Sequence, residues 1–147
     1  MITPDYIVAM AAYNAEMNRR LYDAAARLGD AERRRDRGAF WKSIHGTFSH
    51  LVWADQIWMS RFDGWEKPAV PLRESDRFID DFDALRRARE RIDAGVGTWA
   101  ARVGEAWLAE DQAWLSSSAG RDISRPRQLL VMHSSITRPI IADRRTP

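Results

Sequence analysis

Ser43 to Phe62 reads SIHGTFSHLVWADQIWMSRF. It has helical length and holds no Gly or Pro after Gly46. Its apolar residues recur at Ile44, Phe48, Leu51, Trp58 and Phe62, positions that share one helix face. Val52, Trp53, Ile57 and Met59 point elsewhere, so the segment is apolar nearly all round, as expected of a central helix packed on several sides. Asp55 falls in the middle of the main stripe, and His50 lies in the same helix. Burying a carboxylate costs several kcal/mol unless it is paired, so Asp55 requires a partner such as an Arg or a helix terminus.

Around this helix, 147 residues suffice for one domain with a real core. Seven Trp, five Phe and three Tyr supply that core. No window approaches a membrane span, and the start lacks a basic region followed by an apolar run, so the expectation is a soluble cytoplasmic protein without a membrane partner. The absence of Cys excludes disulfides, thiolate ligands and a cysteine nucleophile within the chain. The net charge is +2, and the Arg residues alternate with Asp and Glu along helix faces, which points away from nucleic acid. The run Arg33-Arg34-Arg35-Asp36-Arg37 lacks interleaved aromatics and reads as a solvated loop.

Thr3-Pro4-Asp5 is a helix start: hydroxyl cap, Pro at the first position, carboxylate near the positive end of the dipole. Ile7, Met10, Asn14, Met17, Leu21 and Leu28 form the predicted stripe of this first helix, which ends before Gly29. Asn14 interrupts the stripe and reads as a register or network residue. After Asp63-Gly64, residues 65–74 hold Pro68 and Pro71 with no periodicity and form a long crossover. Ser75 or Asp76 is the expected cap of a third helix carrying Phe78, Ile79, Phe82, Leu85, Ile92, Val96, Trp99 and Val103. Gly95 and Gly97 weaken that helix by about 1 kcal/mol each, so fraying or a kink is expected there. Ser116 to Gly120 reads as a turn that short extended segments can flank. Ser124 is the expected cap of a fourth helix, with Pro126 in its first turn and Leu129, Leu130, Met132 and His133 following.

The run His45-Gly-Thr-Phe-Ser-His50-Leu-Val-Trp-Ala-Asp55-Gln-Ile-Trp58 resembles the second helix of the DinB family. The resemblance extends through YNAEMNRRLYDAA, RRRDRGAFW and SSSAGRDISRPRQLLVMH. It implies an all-α four-helix bundle of DinB type, a single domain with a long crossover between helices 2 and 3 and a tail truncated or altered after about residue 133. It also implies a three-histidine site for a divalent metal, Zn or Ni, with His50 at one ligand position. Family members include thiol S-transferases and a thiol-dependent isomerase, and the resemblance implies a divalent-metal-dependent hydrolase or thiol S-transferase-like enzyme. The resemblance therefore implies a small-molecule or low-molecular-weight thiol substrate and a homodimer. Trp53, Asp55, Trp58, Arg61 and His133 are the candidate pocket residues, with Asp55 and Arg61 as supports of the site or substrate contacts. His45, five residues before His50, faces another way and reads as structural. Without the resemblance, a lone His50 reads as a core histidine bonded to a carbonyl.

DinB-like chains continue past the position of His133 with a motif close to Phe-Phe-Asn-His-x-x-His-His-Arg-Gly-Gln. Here the two remaining ligand positions carry Thr137 and Ile141, neither of which can replace an imidazole. With suitable synonymous codons, restoring one T just after the His133 codon turns Ser134 to Thr146 into Phe-Phe-Asn-His-Pro-Ala-His-His-Arg-Gly-Gln-Thr-His. A reading-frame slip thus accounts for both the missing histidines and the Arg-rich tail. Two classes of function follow: a metal-dependent enzyme with an incomplete site, or a non-catalytic stress-associated bundle that binds a small apolar ligand or dimerises through its helix faces.

Overall fold

The computed structural model describes residues 1–116 and 119–136. The chain runs through α1 (Pro4–Ala26), α2 (Asp30–Arg34) and α3 (Ile44–Phe62), then a 3-10 turn (Leu72–Arg77) and α4 (Phe82–Ala100). It closes with α5 (Glu105–Leu108), the antiparallel strands β1 (Asp111–Ser116) and β2 (Arg121–Pro126), and α6 (Arg127–His133). The fold is mostly helical. The expectation of a purely α protein is corrected by the hairpin, in which Trp114 pairs with Ile123 and Leu115 with Asp122. Alternation of half-buried and exposed residues along β1 carries Trp114 onto Trp58 of α3, ring centroids 6.1 Å apart. Of the expected turn from Ser116 to Gly120, Ser117 and Ser118 lie outside the described residues.

α1 starts as its sequence dictates, with Thr3 Oγ1 accepting the Tyr6 amide at 3.2 Å and Pro4 in the first turn. Its buried stripe is Ile7, Ala11, Asn14, Asn18, Tyr22 and Ala25. Met10, Met17 and Leu21 are only half-buried beside it. The expected stripe was therefore rotated, because the buried face admits two Asn whose amides find partners. Asn14 Nδ2 donates to the carbonyls of Ser135 and Ile136, and Asn18 Nδ2 to both oxygens of Asp93 at 3.0 and 3.2 Å. α4 packs against both α1 and α3, and Ile7, Val52, Met59, Leu85, Val131 and Ile136 are fully buried in the core they share.

α3 keeps the predicted bounds, with Ser43 Oγ accepting the Gly46 amide at 3.0 Å and Gly64 at φ +69° turning the chain out of the helix. Its buried side is not quite the predicted one. Val52 and Met59 are buried, while Leu51 and Trp58 are only half-buried.

Two helix starts are corrected. Ser75 sits buried inside the 3-10 turn, and α4 begins later, with Asp81 accepting the Ala84 amide at 2.7 Å. Ser124 belongs to β2. Extended backbone at Pro126 ends the strand, and α6 starts at Arg127 without a side-chain cap. Within the basic run, Arg34, Arg35 and Arg37 pair with surface carboxylates. Arg33 pairs with Asp30 at 3.6 Å and also donates to the Ala25 and Leu28 carbonyls at the end of α1, lying over Phe82, 4.1 Å from the ring centroid.

α4 runs unbroken through Gly95 and Gly97. A Cβ at Gly95 would stand 2.6 Å from the Trp65 ring, whereas one at Gly97 meets nothing. Gly95 is therefore the seat of Trp65. Gly97→Ala is expected to stabilise the fold by up to about 1 kcal/mol and Gly95→Ala to destabilise it, as urea denaturation of the two variants will measure.

Candidate functional site

His50 lies half-buried on α3 between two indoles. Trp41 stacks on it at 4.1 Å between centroids, and Trp53 lies nearly parallel at 6.0 Å. The Ser75 hydroxyl, carried in by the 3-10 turn, is hydrogen-bonded to Nδ1 at 2.9 Å. Nε2 has no hydrogen-bond partner among the described residues. Burial pushes the His50 pKa below its ordinary value, more strongly than Asp55 and Asp76 raise it, and the imidazole is neutral at physiological pH.

The turn that brings Ser75 is itself fixed to α3. Ser49 Oγ donates to the Ser75 carbonyl at 2.9 Å and accepts the Ile79 amide at 3.1 Å. His45 Nε2 donates to the Ile79 carbonyl at 2.9 Å. His45 is thus structural, as its position on α3 implied, and Trp53 completes the clamp by donating to the Val70 carbonyl at 2.8 Å.

Asp55 is 1 % exposed. Its expected Arg partner is Arg89 of α4, at 2.7 Å, and Arg89 reaches Asp93 at the same distance. The Ser135 hydroxyl donates to the other Asp55 oxygen. Burial acts against the Arg89 charge, but the two carboxylates more than offset it and the guanidinium stays ionised. For Asp93, burial outweighs Arg89 and Asn18 and raises its pKa above the usual carboxylate value.

Trp58 and Arg61 form a third group. The Arg61 guanidinium lies 4.7 Å from the Trp58 centroid and 5.1 Å from that of Trp114. Trp58 also stacks on Phe62, which joins Trp99 and Trp107 in a ring cluster. Trp58 is therefore mainly a packing residue, and burial lowers the pKa of Arg61.

His133, a candidate pocket residue, is exposed at the end of α6. Thr137 and Ile141 lie outside the described residues. Sequence reasoning missed Ser75, Trp41, Arg89 and Asp93. For Arg89 a signal was present: Leu85, Arg89, Ile92 and Val96 step by four, three and four, placing a charge within the apolar stripe of α4.

The sequence model of the DinB family matches residues 1–135. The chain belongs to the DinB family. Comparison with curated proteins and with solved structures finds no match. The family match ends two residues beyond His133, where the sequence departs from the expected motif.

A tightly held divalent ion needs three or more protein donors. Among the described residues no group of three His, Asp or Glu is placed to supply them. His45 is committed to Ile79, His133 is exposed, and the two remaining family positions carry Thr and Ile. Among the described residues, the donor set of this DinB chain does not fit the metal site its resemblance implies.

The lowered His50 pKa has a sign that can be tested. The folded protein takes up fewer protons here than the unfolded chain, so this contribution to stability is complete well above the ordinary value of about 6.5 and is lost as pH falls through the folded value. His50→Gln should flatten the fall in stability on going from neutral pH toward pH ~5; an unchanged slope in urea denaturation contradicts it.

Proposed function

We propose that this protein is a DinB-type four-helix bundle descended from metal-dependent hydrolase or thiol S-transferase-like enzymes, and that His50 is the surviving ligand of its three-histidine site. One observation carries the reading. His50 is held through Nδ1 by Ser75, leaving Nε2 available, which is how a metal-ligating imidazole is ordinarily oriented by a hydrogen bond to its other nitrogen. Burial that favours the neutral ring supports it, because only neutral imidazole binds a metal. In the intact arrangement a Zn or Ni ion would lower the pKa of a bound water or low-molecular-weight thiol. Among the described residues a single imidazole is held in this way, and the proposal assigns that chemistry to the intact site only. Assembly as a cytoplasmic homodimer is part of the same proposal.

A second reading, a non-catalytic stress-associated bundle that binds a small ligand or dimerises, is favoured by the single suitably held imidazole among the described residues.

Elemental analysis separates the readings. The purified chain should hold well under one metal ion per molecule. A version in which the residues after His133 are replaced by Phe-Phe-Asn-His-Pro-Ala-His-His-Arg-Gly-Gln-Thr-His should hold roughly one, and His50→Ala in that version should abolish it. Stoichiometric metal in the chain as it stands contradicts the proposal.

A further inference from the structure

A cleft of about 390 Å³ opens between α3, the crossover and α4, a volume within the range of small-ligand sites. None of the residues around His50 lines it. Its floor is apolar: Val52, Ala88 and Ile92 are at most 8 % exposed, and Phe78 and Ile79 form one side. The Trp65 indole forms another wall.

These walls are held in place before any ligand arrives. Trp65 is seated against Gly95, and its Nε1 donates to Asp63 at 3.0 Å; Asp63 in turn pairs with Arg102. Gln56 Nε2 donates to the Glu66 carbonyl at 3.0 Å, tying the crossover to α3. Ile79 is bonded through both its amide and its carbonyl, to Ser49 and His45. A preformed apolar cleft spares a ligand the ordering cost that binding otherwise carries. Gly95 reinforces the point, because a helix interior accepts Gly only at a cost and here the Gly serves to place the indole.

The rim carries Arg91. On the same helix Arg86 and Arg89 are both committed to carboxylates, but Arg91 has no ion pair among the described residues. An uncommitted guanidinium above an apolar floor suits a carboxylate, which it can hold through two parallel hydrogen bonds. Arg91 is the one cationic side chain among the described residues lining the cleft, against the single carboxylate of Glu66, so it matches one negative charge on a ligand.

We propose that the cleft between Trp65 and Ile92 binds a small amphipathic monocarboxylate, its alkyl or aryl body on Val52, Ala88 and Ile92 and its carboxylate on Arg91. The site rests on the ligand-binding reading and is independent of the metal position.

Isothermal titration with decanoate below its micellar concentration, and with decylammonium as the same tail of opposite charge, tests it. Saturable binding of decanoate at one site is expected, at least tenfold tighter than decylammonium, and Arg91→Glu should reverse that order. Arg91 is exposed, so the variant keeps its fold, which far-UV circular dichroism will verify. Equal binding of the two probes, or a preference that Arg91→Glu leaves unchanged, overturns the assignment of Arg91 and with it the proposal. No saturable binding of either probe overturns the proposal and the ligand-binding reading together.

Discussion

The ion pair between Asp55 and Arg89 joins α3 to α4 inside the core, and the rest of the architecture is arranged to make it tolerable. Each buried ion carries an effective desolvation penalty of several kcal/mol, which a single contact does not reliably offset. The chain answers with more partners. Arg89 is shared with Asp93, Asp93 is bonded by Asn18 of α1, and Asp55 accepts from Ser135 beyond α6. Three helices and the segment after the last one thus meet at one charged network. Asn14, four residues before Asn18 on the same face of α1, holds the Ser135 and Ile136 carbonyls. A slip of α1 by one turn would strand both amides and leave Asp93 without its outer donor. Apolar packing alone would not distinguish such registers sharply, since Ala11 and Ala25 fit many neighbours.

That network also explains where the sequence was legible. The need of Asp55 for a partner, an Arg or a helix terminus, followed from burying a carboxylate in an apolar stripe. Which Arg did not follow, because 21 of them are available and most decorate surfaces. The cap of α1 was readable at Thr3, where a hydroxyl precedes Pro4 and Asp5. Ser75 and Ser124 carry the same local signal but serve other ends. Ser75 is drawn into a buried turn by Ser49 and His50, and Ser124 pairs within a hairpin. Tertiary contacts override the cap signal at both. The rotation of the α1 stripe has the same cause: Met10 and Met17 outrank Asn18 in hydrophobicity, yet Asn18 is buried because Asp93 is there to receive it.

At His50 the structure shows an oriented imidazole, whereas the three-histidine site that the resemblance implies finds no group of three donors among the described residues. The imidazole is oriented by Ser75, stacked by Trp41 and kept neutral by burial, all features suited to a ligand. The candidate pocket residues divide around it. Trp53 is nearby and pins the crossover, whereas Trp58 and Arg61 belong to a separate stack with Trp114 and His133 faces outward. In place of the family's later motif, the described chain offers Ser134, Ser135 and Ile136, which the core has absorbed. Ile136 is fully buried, and Ser135 bonds the one carboxylate that most needs a donor. The first residues after α6 are thus structural.

The decisive measurement is a double-mutant cycle on that network, with Asp55→Asn, Arg89→Met and the pair, by urea denaturation at neutral pH. If the charges depend on one another as described, each single change costs about 3–5 kcal/mol and the pair costs less than their sum by about 2–3 kcal/mol. A coupling below roughly 0.5 kcal/mol, with both single variants near wild-type stability, would show that the fold does not hang on this contact.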